Sequence, residues 1–161
     1  MVCDVPNGVS PDLRRRNDVT DNQLILAVAD KLSEISRIAD LVEAFCAERG
    51  IPPALSYNIN LALEELLTNT ISYGFDDGPD HEIEVRIRSD GDEIVVEVID
   101  NARPFDPLKA PAPDLDASID SRSIGGLGVY LVKTVMDDVQ YRHADGRNHI
   151  TLKKRLPKAA G

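Results

Sequence analysis

Apolar positions along the chain change period several times, and each change marks an element. Leu24-Ile25-Leu26-Ala27-Val28 is a short apolar run between polar flanks, the pattern of a buried or edge strand. From Lys31 to Arg49, the residues Leu32, Ile35, Ile38, Val42 and Phe45 recur at spacings of three and four. That is an amphipathic helix, stopped by Gly50 and the Pro52-Pro53 pair. A second helix is predicted from about Pro53 to Gly74, with Leu55, Ile59, Ala62, Leu63, Leu66 and Leu67 on its core side. The period then drops to two. Ile83, Val85 and Ile87 alternate with Glu84, Arg86 and Arg88, and after a turn at Gly91-Asp92 the run Ile94 to Ile99 is a β-branched strand ending in Asp100.

From Pro104 to Ser123 the chain turns to Pro, Ala, Asp and Ser, and a connector of that length in a compact domain reads as a lid, placed at residues 106–124. Gly125-Gly126-Leu127-Gly128 then opens a helix carrying Val129, Leu131, Val132, Val135 and Met136. Strands at about Asp138–His143 and His149–Lys154 follow, joined at Asp145-Gly146. Residues 1–20 are polar, hold Pro6, Pro11 and Arg14-Arg15-Arg16, and read as a flexible lead-in to a domain of residues 21–161. Two helices followed by a hairpin predict an α+β layout rather than alternating βαβ units. The expected fold is a two-layer α/β sandwich, with a mixed, mostly antiparallel sheet of about five strands and about three helices on one face.

Charge and composition narrow the function. The 161 residues carry a formal net charge of -10, which argues against broad contacts to a nucleic-acid backbone. No apolar run reaches membrane-spanning length and the first residues lack the apolar stretch of a signal peptide, so the expected compartment is cytoplasmic. Cys3 and Cys46 show no pairing or ligand spacing, and Cys46 sits on an apolar helical stripe as a small buried hydrophobe would. His81, His143 and His149 have no zinc-ligand spacing.

Three places carry chemistry. Glu65 and Asn69 are four apart on the second helix, so a carboxylate and an amide oxygen share one face, a hard-oxygen surface suited to a metal-bound phosphate or to orienting a hydroxyl. Asp100 closes an apolar strand, where a carboxylate held near the core can accept a hydrogen bond from an exocyclic amine. Gly125-Gly126-Leu127-Gly128 offers free backbone N–H groups at a helix start, an anion site. The loop reads GGxG and follows a polar connector, so it is neither a Rossmann fingerprint nor a P-loop.

In this order the three blocks LALEELLTNTISYGF, VEVIDNARPFDP and GGLGVYLVKTVMDDVQY resemble the Bergerat ATP-binding fold of histidine-kinase-like ATPases. Within it the likeness is greatest to bacterial anti-sigma serine/threonine-protein kinases of the partner-switching type, and it covers residues 24 to 156. The resemblance implies ATP and Mg²⁺, with Glu65 as general base, Asn69 as Mg²⁺ ligand and Asp100 as reader of the adenine amine. It also implies that Gly125, Gly126, Leu127 and Gly128 wrap the phosphates, and that Tyr73, Ala102 and Phe105 flank the nucleotide. Burial in the core explains Tyr73 equally well. Ala102 stands where the family usually has glycine, which would cost on the order of 1 kcal/mol if φ were positive there. The implied activity is phosphorylation of a small anti-anti-sigma protein, with a sigma factor as second partner and a homodimer allowed. Two alternatives stay open: a module that uses ATP to shape a protein-binding surface without phosphoryl transfer, and the catalytic half of a split histidine kinase.

Overall fold

Six strands form one antiparallel sheet, in which the first four lie side by side in chain order and are followed by the sixth and then the fifth. The computed structural model describes residues 17–114, 116 and 126–158. The strands are β1 (Asn17–Val19), β2 (Gln23–Val28), β3 (Ile83–Asp90), β4 (Glu93–Asp100), β5 (Asp138–Ala144) and β6 (Arg147–Arg155). The helices are α1 (Glu34–Glu48), α2 (Pro53–Asn69) and α3 (Gly126–Val135). The expected α+β sandwich is the fold found, with two corrections. Every observed strand pair is antiparallel, and there is a sixth strand, because Asn17–Val19 pairs with Leu24–Leu26 inside the segment expected as a lead-in.

Strand register puts one face of the sheet under the helices. Leu24, Leu26 and Val28 stand opposite Ile87, Val85 and Ile83, which stand opposite Val96, Val98 and Asp100. The same rows continue into Leu152, Ile150 and Asn148. The apolar members of these rows form the core with Ile38, Val42 and Phe45 of α1 and Ile59, Leu63 and Leu67 of α2. Burying each such side chain contributes about 1.5–3 kcal/mol. Cys46 belongs to this core as expected, and burial pushes its thiol up to about 11.

Helix boundaries follow local chemistry. At the end of α1 the Gly50 N–H donates to Ala47 O (3.1 Å) and the Ile51 N–H to Cys46 O (2.9 Å), with Gly50 at φ 66°. This is a Schellman stop, and Pro53 then begins α2 where its missing N–H costs nothing. Arg49 lies 3.5 Å from the centroid of the Phe45 ring and donates to Thr20 O and Asp21 O, tying the β1–β2 turn to the helix end. Asp145 and Gly146 both have positive φ (54° and 72°), the twist that a two-residue hairpin between β5 and β6 requires.

After Asn69 the second helix widens into a π-helical turn, Thr70–Gly74. Such turns are rare and change which side chains share a face. Phe75, just beyond it, stacks on His81 with ring centroids 4.1 Å apart. His81 bonds Asp30 and the Asp76 carbonyl, so the loop after the turn is anchored to the β2–α1 connection. Of the lid, residues 106–114 and 116 are described, including a 3₁₀ turn at Pro107–Lys109 capped by Asp106, whose carboxylate accepts from Leu108 N (2.9 Å). The remainder of the lid and Gly125 lie outside the described residues. No helix among the described residues is long and apolar enough to cross a membrane.

Candidate nucleotide site

The row Val28–Ile83–Asp100–Asn148 runs across the sheet at the end where α2 gives way to its π-helical turn. Period two along β4 carries Ile94, Val96 and Val98 into Asp100, and along β6 it leads back from Leu152 and Ile150 to Asn148. Both polar side chains therefore face the helices. They are 2% and 4% exposed, and they form the buried polar floor of a mainly apolar cavity of about 790 Å³. Leu66, Asn69, Thr70, Tyr73 and Gly74 line it from α2 and its π-helical turn, Val129 from α3 and Ile150 from β6. The segment after β4 adds Ala102 to Phe105, Pro107, Ala110 and Pro111, with Tyr73 and Phe105 exposed at the cavity mouth.

Asn148 organises the floor. Its amide Nδ2 donates to Asp100 Oδ1 (2.8 Å), Arg103 O (3.0 Å) and Ala102 O (3.2 Å). Its Oδ1 accepts from the Tyr141 hydroxyl (2.6 Å) and from Phe105 N (3.4 Å). The Ala102 N–H also donates to Asp100 Oδ1 (3.0 Å), so two N–H groups converge on one carboxylate oxygen. Burial pushes the Asp100 carboxyl up, and the hydrogen bonds from Asn148, Ala102 and Thr70 oppose that shift. Arg103 stitches the mouth to the π-helical turn, its N–H donating to Gly74 O (3.0 Å) and its Nη2 to Tyr73 O (2.6 Å).

The candidate residues do not all meet. Asn69, Tyr73, Asp100, Ala102 and Phe105 line the cavity together. Tyr73 is 61% exposed, which removes core packing as its explanation. Ala102 has no positive φ, because Asp145 is the only non-glycine residue with one among those described. The strain expected on that condition does not arise. A Cβ on Gly74 would lie 3.0 Å from the Ala102 methyl, so it is Gly74 that makes room for the alanine. Glu65 lies one helical turn before Asn69 and outside the cavity lining, against Gly128 at the junction of α2 and α3. Burial is the first cause that pushes its carboxyl up, and neighbouring Glu64 the second. Gly126 is the first residue of α3, and Leu127 is exposed and is not among the described lining residues.

Sequence reasoning did not identify Thr70, Arg103 or Asn148 as site residues. For Asn148 the signal was available, since it shares the parity of Ile150 and Leu152 and so had to face the helices. Asn148→Leu keeps the branched shape at a larger volume and removes the donors and acceptors of Asn148. That strands two carbonyls, the Tyr141 hydroxyl and the Phe105 N–H, and leaves Asp100 Oδ1 without one of its two N–H donors. We expect a loss of about 3 kcal/mol, several unpaired buried groups at 1–3 kcal/mol each being partly relieved by water from the cavity. Urea unfolding measures it, and a variant within 1 kcal/mol of the parent would show that the network is not holding the floor.

Comparison with known proteins places the chain in a family. Residues 28–154 match the family described as histidine kinase-like ATPase domain. Over 98 residues the chain is 33% identical to the serine/threonine-protein kinase BtrW of Bordetella bronchiseptica, an alignment covering 61% of this chain and 69% of that protein. Over 100 residues it is 30% identical to the serine-protein kinase RsbW of Listeria monocytogenes, covering 60% of this chain and 64% of that one. The chain thus spans about two thirds of the curated relatives it matches. Among solved structures it is similar to the RsbU and RsbW domains of a Mycobacterium tuberculosis protein, with TM-score 0.60 and 17% identity over 83% of this chain and 32% of that one. A histidine kinase domain from Erythrobacter litoralis, with TM-score 0.51 and 17% identity over 78% of this chain and 60% of that one, shares the fold. The family match runs from the last residue of β2 almost to the end of β6 and takes in every element around the cavity, so the chain belongs to the histidine kinase-like ATPase domain family.

Proposed function

We propose that the chain is an ATP-dependent serine/threonine-protein kinase whose cavity binds the nucleotide with adenine against Asp100. The observation that carries this reading is the buried carboxylate on the cavity floor, with Oδ1 fixed by two N–H donors. A carboxylate so held accepts from the 6-amino group of adenine and repels the 6-oxo group of guanine. The exposed rings of Tyr73 and Phe105 at the mouth suit the flanks of a nucleotide. Asn69 contributes one amide oxygen, and an ion that keeps several waters and binds mainly through substrate phosphates needs little more from the protein. Mg²⁺, when bound, neutralises phosphate charge. Gly125, Gly126 and Leu127, which precede Gly128 in the chain, are the proposed phosphate-binding segment.

Glu65 is the proposed general base, taking the proton of a serine or threonine hydroxyl as the γ-phosphoryl group passes to it. A carboxyl raised by burial is a better base than an exposed one. Kinase names among the relatives support the reaction class. The proposed substrate is a small anti-anti-sigma protein in the cytoplasm, with a sigma factor held as the alternative partner. The reading of the chain as an ATP-gated binding module has one observation in its favour, the position of Glu65 outside the cavity lining.

Calorimetric titration of ATP and GTP in the presence and absence of Mg²⁺ tests the nucleotide assignment. ATP should bind at least about tenfold more tightly than GTP, the effect of about 1.4 kcal/mol from one buried charge-assisted hydrogen bond. Equal affinities would remove adenine from the Asp100 floor.

A further inference from the structure

Gly128 has no conformational reason to be glycine. It lies inside α3, and the glycines with positive φ among the described residues are Gly50, Gly91 and Gly146. A glycine in a helix is less favourable than alanine, so the position carries a cost that local structure does not explain. Space does explain it. A Cβ built on Gly128 would overlap Glu65 Oε2 and would come within 3.4 Å of Glu65 Cδ and 3.7 Å of its Cβ. The Glu65 side chain therefore lies along the bare face of α3 at Gly128, and only its carboxylate end comes closer than an ordinary contact. Gly128 is buried, and it is flanked by Val129, which lines the cavity.

We propose that Gly128 is a positioning residue for Glu65, its missing side chain forming the seat that fixes the carboxylate beside the cavity. The bare face of this last glycine of the Gly125–Gly128 segment is occupied by the Glu65 side chain. The proposal rests on the reading of Glu65 as that base. With an alanine at 128 the carboxylate must move by on the order of 1 Å to recover normal contact, and displacements of that size in a reacting group cost about 10²-fold in rate.

Two measurements on the full chain test it. The first compares ATP affinity with phosphoryl-transfer rate for Gly128→Ala. Transfer should fall by about 10²-fold while ATP affinity stays within about twofold of the parent. A loss of ATP affinity as large as the loss of rate would make Gly128 a phosphate-contacting glycine and overturn the proposal. The second is a stability cycle by urea unfolding that needs no activity. Gly128→Ala should raise the unfolding midpoint when Glu65 is already alanine, because only helix propensity then changes, and should raise it less when Glu65 is present and its carboxylate has to shift. An equal shift in both backgrounds would mean that there is no seat. Should Gly128→Ala alone fail to fold, recovery of folding in the Glu65→Ala background supports the seat, and failure in both refutes it. A wild-type chain that transfers no phosphate to any candidate protein overturns the kinase reading by itself, and the unfolding cycle then decides the seat alone.

Discussion

Glu65→Gln should lower phosphoryl transfer to the protein partner by about 10²–10⁴-fold, the usual contribution of a general base, while ATP affinity and the fold remain intact. Glutamine is nearly isosteric and as good a helix former, so α2 and its apolar stripe are untouched. Its amide occupies the same place against Gly128, where no Cβ opposes it. Glu65 does not line the cavity, so the nucleotide loses no direct contact. Removing a partly buried carboxylate whose pKa is raised also removes the repulsion from Glu64, which makes a stability loss less expected still. Binding and chemistry therefore separate. The measurement is transfer from radiolabelled ATP to candidate antagonist proteins, run beside a binding titration. Full-rate transfer by the variant would show that Glu65 is not the base. Absence of transfer by the parent, with partner affinity in ATP unmoved by the substitution, would favour the ATP-gated binding module.

How much of this was legible in the sequence depends on whether the signal was local. The strand parity of Ile83, Val85 and Ile87, the nearly continuous β-branched run into Asp100 and the stop at Gly50 are local patterns, and each became the expected element. Asp100 could be placed because β4 ends on a charged residue after a β-branched run interrupted only by Glu97. Asn17–Val19 could not, since three polar-flanked residues have no period and become a strand only by pairing with Leu24–Leu26. That every pair is antiparallel is likewise set by tertiary pairing rather than by any strand's own residues. Thr70 joins Asn69 and Tyr73 around the cavity across a π-helical turn, whose widened register a regular helical wheel does not anticipate. Glu65 and Asn69 share a helical face as their spacing requires, yet only Asn69 reaches the cavity, because the start of α3 packs over Glu65. Which glycine of the loop would meet the base, and which a phosphate, is a question of helix packing that motif spacing does not pose.

Asp100→Asn should weaken ATP binding by about 10- to 100-fold, the value of one hydrogen bond to a charged group, and should shift the ATP-to-GTP preference toward GTP. The direction follows from the floor. Asn148 Nδ2 and the Ala102 N–H both donate to Oδ1 of Asp100, at 2.8 and 3.0 Å. An asparagine there must turn its carbonyl oxygen toward those donors, since an amide NH₂ in that place would face two N–H groups. Its NH₂ is then left where the second carboxylate oxygen stood. Donor would meet donor at the adenine amine, whereas the 6-oxo group of guanine would gain a partner. The fold should hold, because the bonds from Asn148 and Ala102 survive and a buried charge is replaced by a neutral group. Acidification offers an independent check on the parent. Burial pushes the Asp100 carboxyl up, so it takes a proton at a higher pH than an exposed aspartate would, and ATP affinity should begin to fall at a correspondingly higher pH. The variant, with nothing to titrate at this position, should lack that part of the pH profile. Titrations of both nucleotides against both proteins across the acid range read all of these effects. An ATP-to-GTP ratio unchanged by the substitution would mean that the base does not sit on Asp100, and the cavity would need another ligand.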